Sequence, residues 1–103
     1  MIEISKDVFE KLRDKHDVAP IEVTQCFANG AGVYLIDTGE DHRTDPPTHG
    51  FISVTNRNRI LKVCFVRRGA DIQVKTAFEP GSDKHLSLYR ELAGLPACWP
   101  QEE

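Results

Sequence analysis

The stretch Ile60-Leu61-Lys62-Val63-Cys64-Phe65-Val66-Arg67-Arg68-Gly69-Ala70-Asp71-Ile72-Gln73-Val74-Lys75-Thr76-Ala77 decides the fold. Two runs rich in β-branched and aromatic residues, 60–66 and 72–77, flank a short link in which Gly69 supplies the positive φ that a tight hairpin needs. Upstream, 51–55 has the same character and reaches 60–66 through Asn56-Arg57-Asn58, a second tight turn. Residues 33–36 make one more strand. This run of strands predicts a four-stranded antiparallel meander.

Before the meander the period is helical. Ser5 caps a helix over 6–16, with Asp7 in its first turn and Val8, Phe9, Leu12 and His16 at the three-to-four spacing of one buried face. Pro20 opens a second helix, with Glu22 close behind; Val23, Cys26 and Phe27 form its stripe, and Asn29-Gly30 ends it. Ser82 caps a last helix that runs to about Ala93, where Gly94 and Pro96 stop it. The expected fold is α+β: two N-terminal helices on one face of the four-stranded antiparallel sheet, a C-terminal helix, and the opposite sheet face open. With 103 residues, one domain over 1–94 is expected, followed by a tail, 95–103, whose Trp99 folds back.

Composition is ordinary for a globular chain, with 40% hydrophobic and 28% charged residues. No run approaches the roughly 18 apolar residues of a membrane span, and the first residues lack the basic-then-apolar pattern of a secretory leader. A cytoplasmic protein is expected. Cys26, Cys64 and Cys98 are odd in number and contain no Cys-x-x-Cys pair, so they read as reduced thiols, the first two among apolar residues of the core. Charge is uneven: between Gly50 and Lys75 six cations (Arg57, Arg59, Lys62, Arg67, Arg68, Lys75) face the lone acid Asp71, inside a chain of net charge −3. Such a local basic segment suits a polyanion, or else a solvated strand surface.

The loop 37–49 is dense in oxygen and imidazole donors, but its spacing matches neither His-Glu-x-x-His nor a calcium loop, and no bound metal is expected there. Asn29-Gly30-Ala31-Gly32 lacks the lysine of a P-loop, so no nucleotide cofactor is expected either. The remaining chemistry is cationic. Metal-independent RNA cleavage needs a base for the 2′-hydroxyl, cations for the phosphorane and an acid for the leaving oxygen. Lys15, His16, Arg59 and Lys75 are the candidate catalytic set, and Arg57, Lys62, Arg67 and Arg68 the candidate RNA-binding set. His16 lies on an apolar stripe, which favours a packed or capping histidine over an acid or base.

Several words of this sequence resemble the BrnT family of bacterial toxins, members of the RelE-like ribonuclease superfamily of toxin-antitoxin systems. Lys15-His16-Asp17-Val18 resembles the family's Lys-His-Gly-Val word, with Asp17 where glycine is usual. Asn58-Arg59 and the strand after it resemble the Gly-Arg-hydrophobic word, and Arg68-Gly69 through Ala77 resembles the closing hairpin. The resemblance covers roughly residues 4–90. It implies a RelE/BrnT-like fold, RNA as ligand or substrate without a cofactor, and a cognate antitoxin or a second copy of the chain as protein partner. Gln73 and Phe78 stand where the family's closing strand carries two arginines, and Lys75 is the substitute from the same strand. A non-catalytic binding module of this fold is the alternative. The words Cys26-Phe27-Ala28-Asn29, Thr44-Asp45-Pro46-Pro47-Thr48 and Thr76-Ala77-Phe78-Glu79-Pro80 are also similar to small bacterial proteins labelled ADP-ribosyl-(dinitrogen reductase) hydrolase. That label implies a small ADP-ribosyl hydrolase as a further alternative, although the paired metal ions and acidic motifs of larger enzymes of that name have no recognisable counterpart in this sequence.

Overall fold

The computed structural model describes residues 1–36, 47–81, 83–96 and 99. Its elements in chain order are β1 (Ile2–Glu3), α1 (Lys6–Lys11), a π-helical turn (Leu12–His16), α2 (Pro20–Asn29), β2 (Leu35–Ile36), β3 (Thr48–Val54), β4 (Ile60–Arg68), β5 (Asp71–Phe78) and α3 (Asp83–Ala93). Ser5 Oγ accepts the Val8 amide at 3.2 Å and starts α1 as expected. The helix expected over 6–16 is continuous in extent, but its last turn widens to π geometry and closes on Asp17 at φ 53, whose N–H reaches back to the Leu12 carbonyl. Widening turns Leu12 fully into the core, and the Val18 amide bonds the same carbonyl at 2.9 Å.

The meander is present, and the sheet is larger than the sequence indicates. Its order is β1-β5-β4-β3-β2, with four antiparallel strands and β1 added parallel to β5 at the edge, giving five strands in a mixed sheet. A two-residue strand ahead of a helix cap carries no periodicity to read. It is held by backbone: the Ile72 amide donates to the Met1 carbonyl at 2.8 Å, and the N-terminal ammonium donates to the Ala70 carbonyl at 3.1 Å. The first expected strand, 33–36, shrinks to two residues, and β3 begins three residues earlier than 51–55. Between β4 and β5, Arg68 pairs with Asp71 around Gly69 at φ 61, the turn the sequence predicts. Cys64 pairs with Thr76 and Phe65 with Val74, which leaves Lys75 as the extra residue of a β-bulge.

Pairing assigns side chains to faces. Phe51, Val63 and Ala77 share one face with Ser53 and Leu61, all buried beneath α1, the π turn and α2. Ser53 Oγ donates to the Cys26 carbonyl at 2.7 Å, fixing α2 to β3. Phe27 packs on Phe51 with ring centroids 4.8 Å apart, and Tyr34 meets Phe65 edge-on at 5.3 Å. His49, one of the loop donors read from the sequence, stacks on Phe65 at 5.6 Å with its Nδ1 buried and without a hydrogen bond.

The opposite face carries Gly50, Ile52, Lys62 and Cys64 and is not open throughout, as the sequence suggests. Helix α3 crosses its β2–β3 side and buries Tyr89, with Leu86 and Ala93 packed against the core. The Tyr89 hydroxyl donates to the Val33 carbonyl at 2.6 Å. The helix is amphipathic and must cover something, and the first face is already occupied by α2. Trp99 of the tail does fold back, its ring 5.5 Å from Tyr89. No helix among the described residues is long and apolar enough to cross a membrane.

Left-handed backbone disfavours a Cβ by about 1 kcal/mol, with short polar residues best tolerated. Asp17→Gly is therefore expected to be more stable than Asp17→Ala by about 1 kcal/mol in urea denaturation. Equal stability of the two variants would mean that this cap is not under the strain its φ implies.

Candidate functional site

The cations read from the sequence separate into two groups. Arg59 leaves the β3–β4 turn, where Thr55 Oγ1 accepts the Arg59 amide at 3.1 Å and the Arg57 amide at 3.3 Å. Asn58, at φ 65, swings the chain so that the Arg59 side chain reaches back under the first helical segment. There Nη1 donates to the Asp17 carbonyl at 2.7 Å and to both Glu22 oxygens at 3.1 Å, while Nη2 donates to the His16 carbonyl at 3.0 Å. Glu79 Oε2 stands 3.4 Å from Nε. Burial opposes the Arg59 charge, and the hydrogen bonds of Glu22 and Glu79 outweigh it, holding the guanidinium above its ordinary value. The side chain is 21% exposed and every nitrogen has a partner.

Of the candidate catalytic set the structure brings together only His16 and Arg59, and it does so through the His16 carbonyl. The His16 ring packs 5.7 Å from Phe78, one of the two positions where the resembled family has arginine. The other, Gln73, accepts Arg68 Nε at 2.8 Å. Lys15 is exposed on the π turn. Lys75 is exposed at the bulge, three residues before Phe78, and its carbonyl receives Lys11 Nζ at 2.8 Å.

The candidate binding set is less committed. Arg57, Lys62, Arg67 and Lys75 have no carboxylate partner among the described residues, and Arg68 meets only the neutral Gln73. Lys62 and Arg68 lie on one face of β4, six residues apart, hence about 20 Å at the strand rise. Beside Lys62, between α3 and the sheet, lies a groove of ≈ 380 Å³. The sheet contributes Ile36, Ile52, Lys62 and Cys64, and α3 contributes Lys84, His85, Leu88 and Leu92. Gly50 forms its floor: a Cβ there would sit 3.7 Å from Cys64 Sγ and 3.8 Å from Lys62 Cε.

Sequence reasoning missed Glu22 and Glu79, read only as a helix start and a departure from the family pattern, and missed the α3 side of the groove. The i, i+4 rows Lys84–Leu88–Leu92 and His85–Tyr89 were the available signal. Cys26 is fully buried, and burial pushes its thiol up to about 12. No group of three or more His, Cys, Asp or Glu among the described residues is placed to hold a metal ion. Most of the donor-rich loop, 37–46, lies outside those residues, as does Cys98.

No protein-family model, curated protein or solved structure matches this chain.

Arg59→Lys keeps the charge and loses the fork, so it is expected to lower stability by about 2 kcal/mol, between the values for exposed and fully buried pairs. Lys15→Ala and Lys75→Ala should stay within about 0.5 kcal/mol, as exposed substitutions do. Thermal and urea unfolding of the three variants checks this ordering. An Arg59→Lys variant as stable as the parent would show the side chain to be free for another task. The Cys26 thiol should resist alkylation at mildly alkaline pH until the chain is unfolded, which mass spectrometry of the modified peptide reports.

Proposed function

We propose that this chain is a RelE/BrnT-like cytoplasmic protein that binds RNA along β4 and β5 and does not cleave it. The carrying observation is the division of its cations: Arg59 is fully engaged by Glu22, Glu79 and two carbonyls, while Arg57, Lys62, Arg67 and Lys75 face no acid among the described residues. Unpaired cations spread over a strand attract phosphates without a sequence code. Cleavage needs a cation free to meet the developing phosphorane charge, and the one beside His16 already serves two carboxylates.

The backbone supports the family reading. Asp17 and Asn58 are the two non-glycine residues of positive φ among the described residues, and they occupy the two places where the resembled words carry glycine. Arg59 then joins those words in space by bonding the carbonyls of His16 and Asp17. In this reading the words are a folding signature, and the same resemblance implies a cognate antitoxin as the protein partner.

Binding of a fluorescent single-stranded RNA should weaken by about 50-fold between roughly 50 and 200 mM salt if about four phosphates are met. Lys62→Glu and Arg68→Glu should each weaken it further, and Lys6→Glu should not. Lys11 is unsuited as the control because its ammonium holds the Lys75 carbonyl. The RNA should remain intact on a gel in excess chelator. Cleavage that disappears in His16→Gln or Lys75→Ala, or equal loss of affinity at Lys6 and Lys62, would overturn the proposal.

A further inference from the structure

Three of the six large apolar side chains most exposed in the described residues converge on one place: Ile36 at 57%, Leu88 at 55% and Leu92 at 60% all border the groove between α3 and the sheet. Apolar side chains left half in water by a folded helix and strand form a surface that a ligand can dry. Ile52 continues that surface on the sheet side, buried at 2% exposure. The ordinary reason for exposed leucines, a scatter of single residues, does not apply to a contiguous set.

Among the described lining residues charge has one sign. Lys62 comes from β4 and Lys84 from the first turn of α3; among the described residues neither has an ion pair or hydrogen bond, and no described lining residue is acidic. This is unexpected in a chain whose acids outnumber its basic residues by 16 to 13. Lys62 is half-buried, with its stem passing beside Gly50. A partly desolvated ammonium without a counter-ion is costly, and an incoming anion relieves that cost.

We propose that this groove binds one small amphipathic anion: a carboxylate or phosphate head held by Lys62 and Lys84, with an unbranched apolar body against Ile36, Ile52, Leu88 and Leu92. The size selects a small molecule over a peptide. A volume of ≈ 380 Å³ stands at the lower end of the range for small-ligand sites, about 300–1,000 Å³, and is too small to seat a helix of several turns. The exposed apolar lining, Ile36, Leu88 and Leu92, is aliphatic, while the rings of Phe51 and Tyr89 lie buried beneath it at 2% and 4% exposure and leave His85 as the exposed ring; this favours an alkyl body over a nucleobase, which stacks on aromatic or guanidinium planes. This site is independent of the RNA reading except that Lys62 serves both.

Decanoate, octyl phosphate, octanol and inorganic phosphate, each titrated into the full chain below any micelle concentration, test the proposal by calorimetry and amide NMR shifts. Decanoate and octyl phosphate should saturate a single site with shifts centred on Gly50, Ile52 and Leu88. Octanol and inorganic phosphate should bind at least about tenfold more weakly, since each lacks half of the recognition. Lys84→Glu and Leu88→Glu, both exposed and so expected to fold, should each weaken decanoate by about tenfold, while Lys6→Glu leaves it unchanged. A clear preference between the two heads identifies the source of the anion and supports the site. No saturable binding of either amphiphile would overturn it. So would affinity shared equally with octanol or with inorganic phosphate, or affinity indifferent to Lys84→Glu.

Discussion

The fork of Arg59 ties together three separate parts of the chain. It bonds the carbonyls at the end of the first helical segment, the carboxylate at the start of α2 and the carboxylate just beyond β5. The π turn leaves the His16 and Asp17 carbonyls without helical partners, and a planar cation with five donors is the side chain suited to several acceptors at once. Glu22 is positioned for this by its second role, since Oε1 also accepts the Ala19 amide at 3.0 Å, half of a capping box. Thus one residue links the ends of both N-terminal helical segments to the exit of β5, beside the Ser53–Cys26 bond that holds α2 on β3. The clamp sits close to the surface, so its value lies in satisfying polar groups that would otherwise be left half-desolvated, more than in Coulombic attraction.

That arrangement separates structural cations from available ones. Among the described cations, Arg59, Lys11 and Arg90 hold carbonyls or carboxylates of other parts of the chain, Arg13 pairs with its neighbour Asp14, and Arg68 meets the neutral Gln73. The cations of β4 and the bulge are left facing solvent or the groove. The clustering of basic residues between Gly50 and Lys75 therefore overstates the charge available to a ligand by one, Arg59, and omits Lys84, which α3 adds from outside the segment.

Much of the fold was legible because its signals were periodic or local. The hairpin around Gly69, the Ser5 cap, the Pro20 start and the buried stripe of Val23 and Cys26 each rest on a few adjacent residues, and each is where it was expected. Strand β1 was invisible because two residues carry no period, and the placement of α3 was invisible because a stripe of Leu86 and Tyr89 says that a helix has a partner without saying which face supplies it. The site was legible only as a list of residue types. His16 and Arg59 are neighbours as the reading required, yet their contact runs through a backbone carbonyl, a relation that side-chain chemistry does not announce. Lys75 shows the same limit: strict alternation puts it on a definite face, and the bulge at that very residue breaks the alternation.

The most direct measurement is a double-mutant cycle between Arg59 and Glu22, using Arg59→Met, Glu22→Gln and the double variant in urea denaturation. If the clamp organises the fold, the two side chains are coupled by about 1 kcal/mol or more, and each single variant unfolds at lower denaturant than the parent. Effects that add within about 0.5 kcal/mol would contradict the account and return Arg59 to the pool of cations available for catalysis.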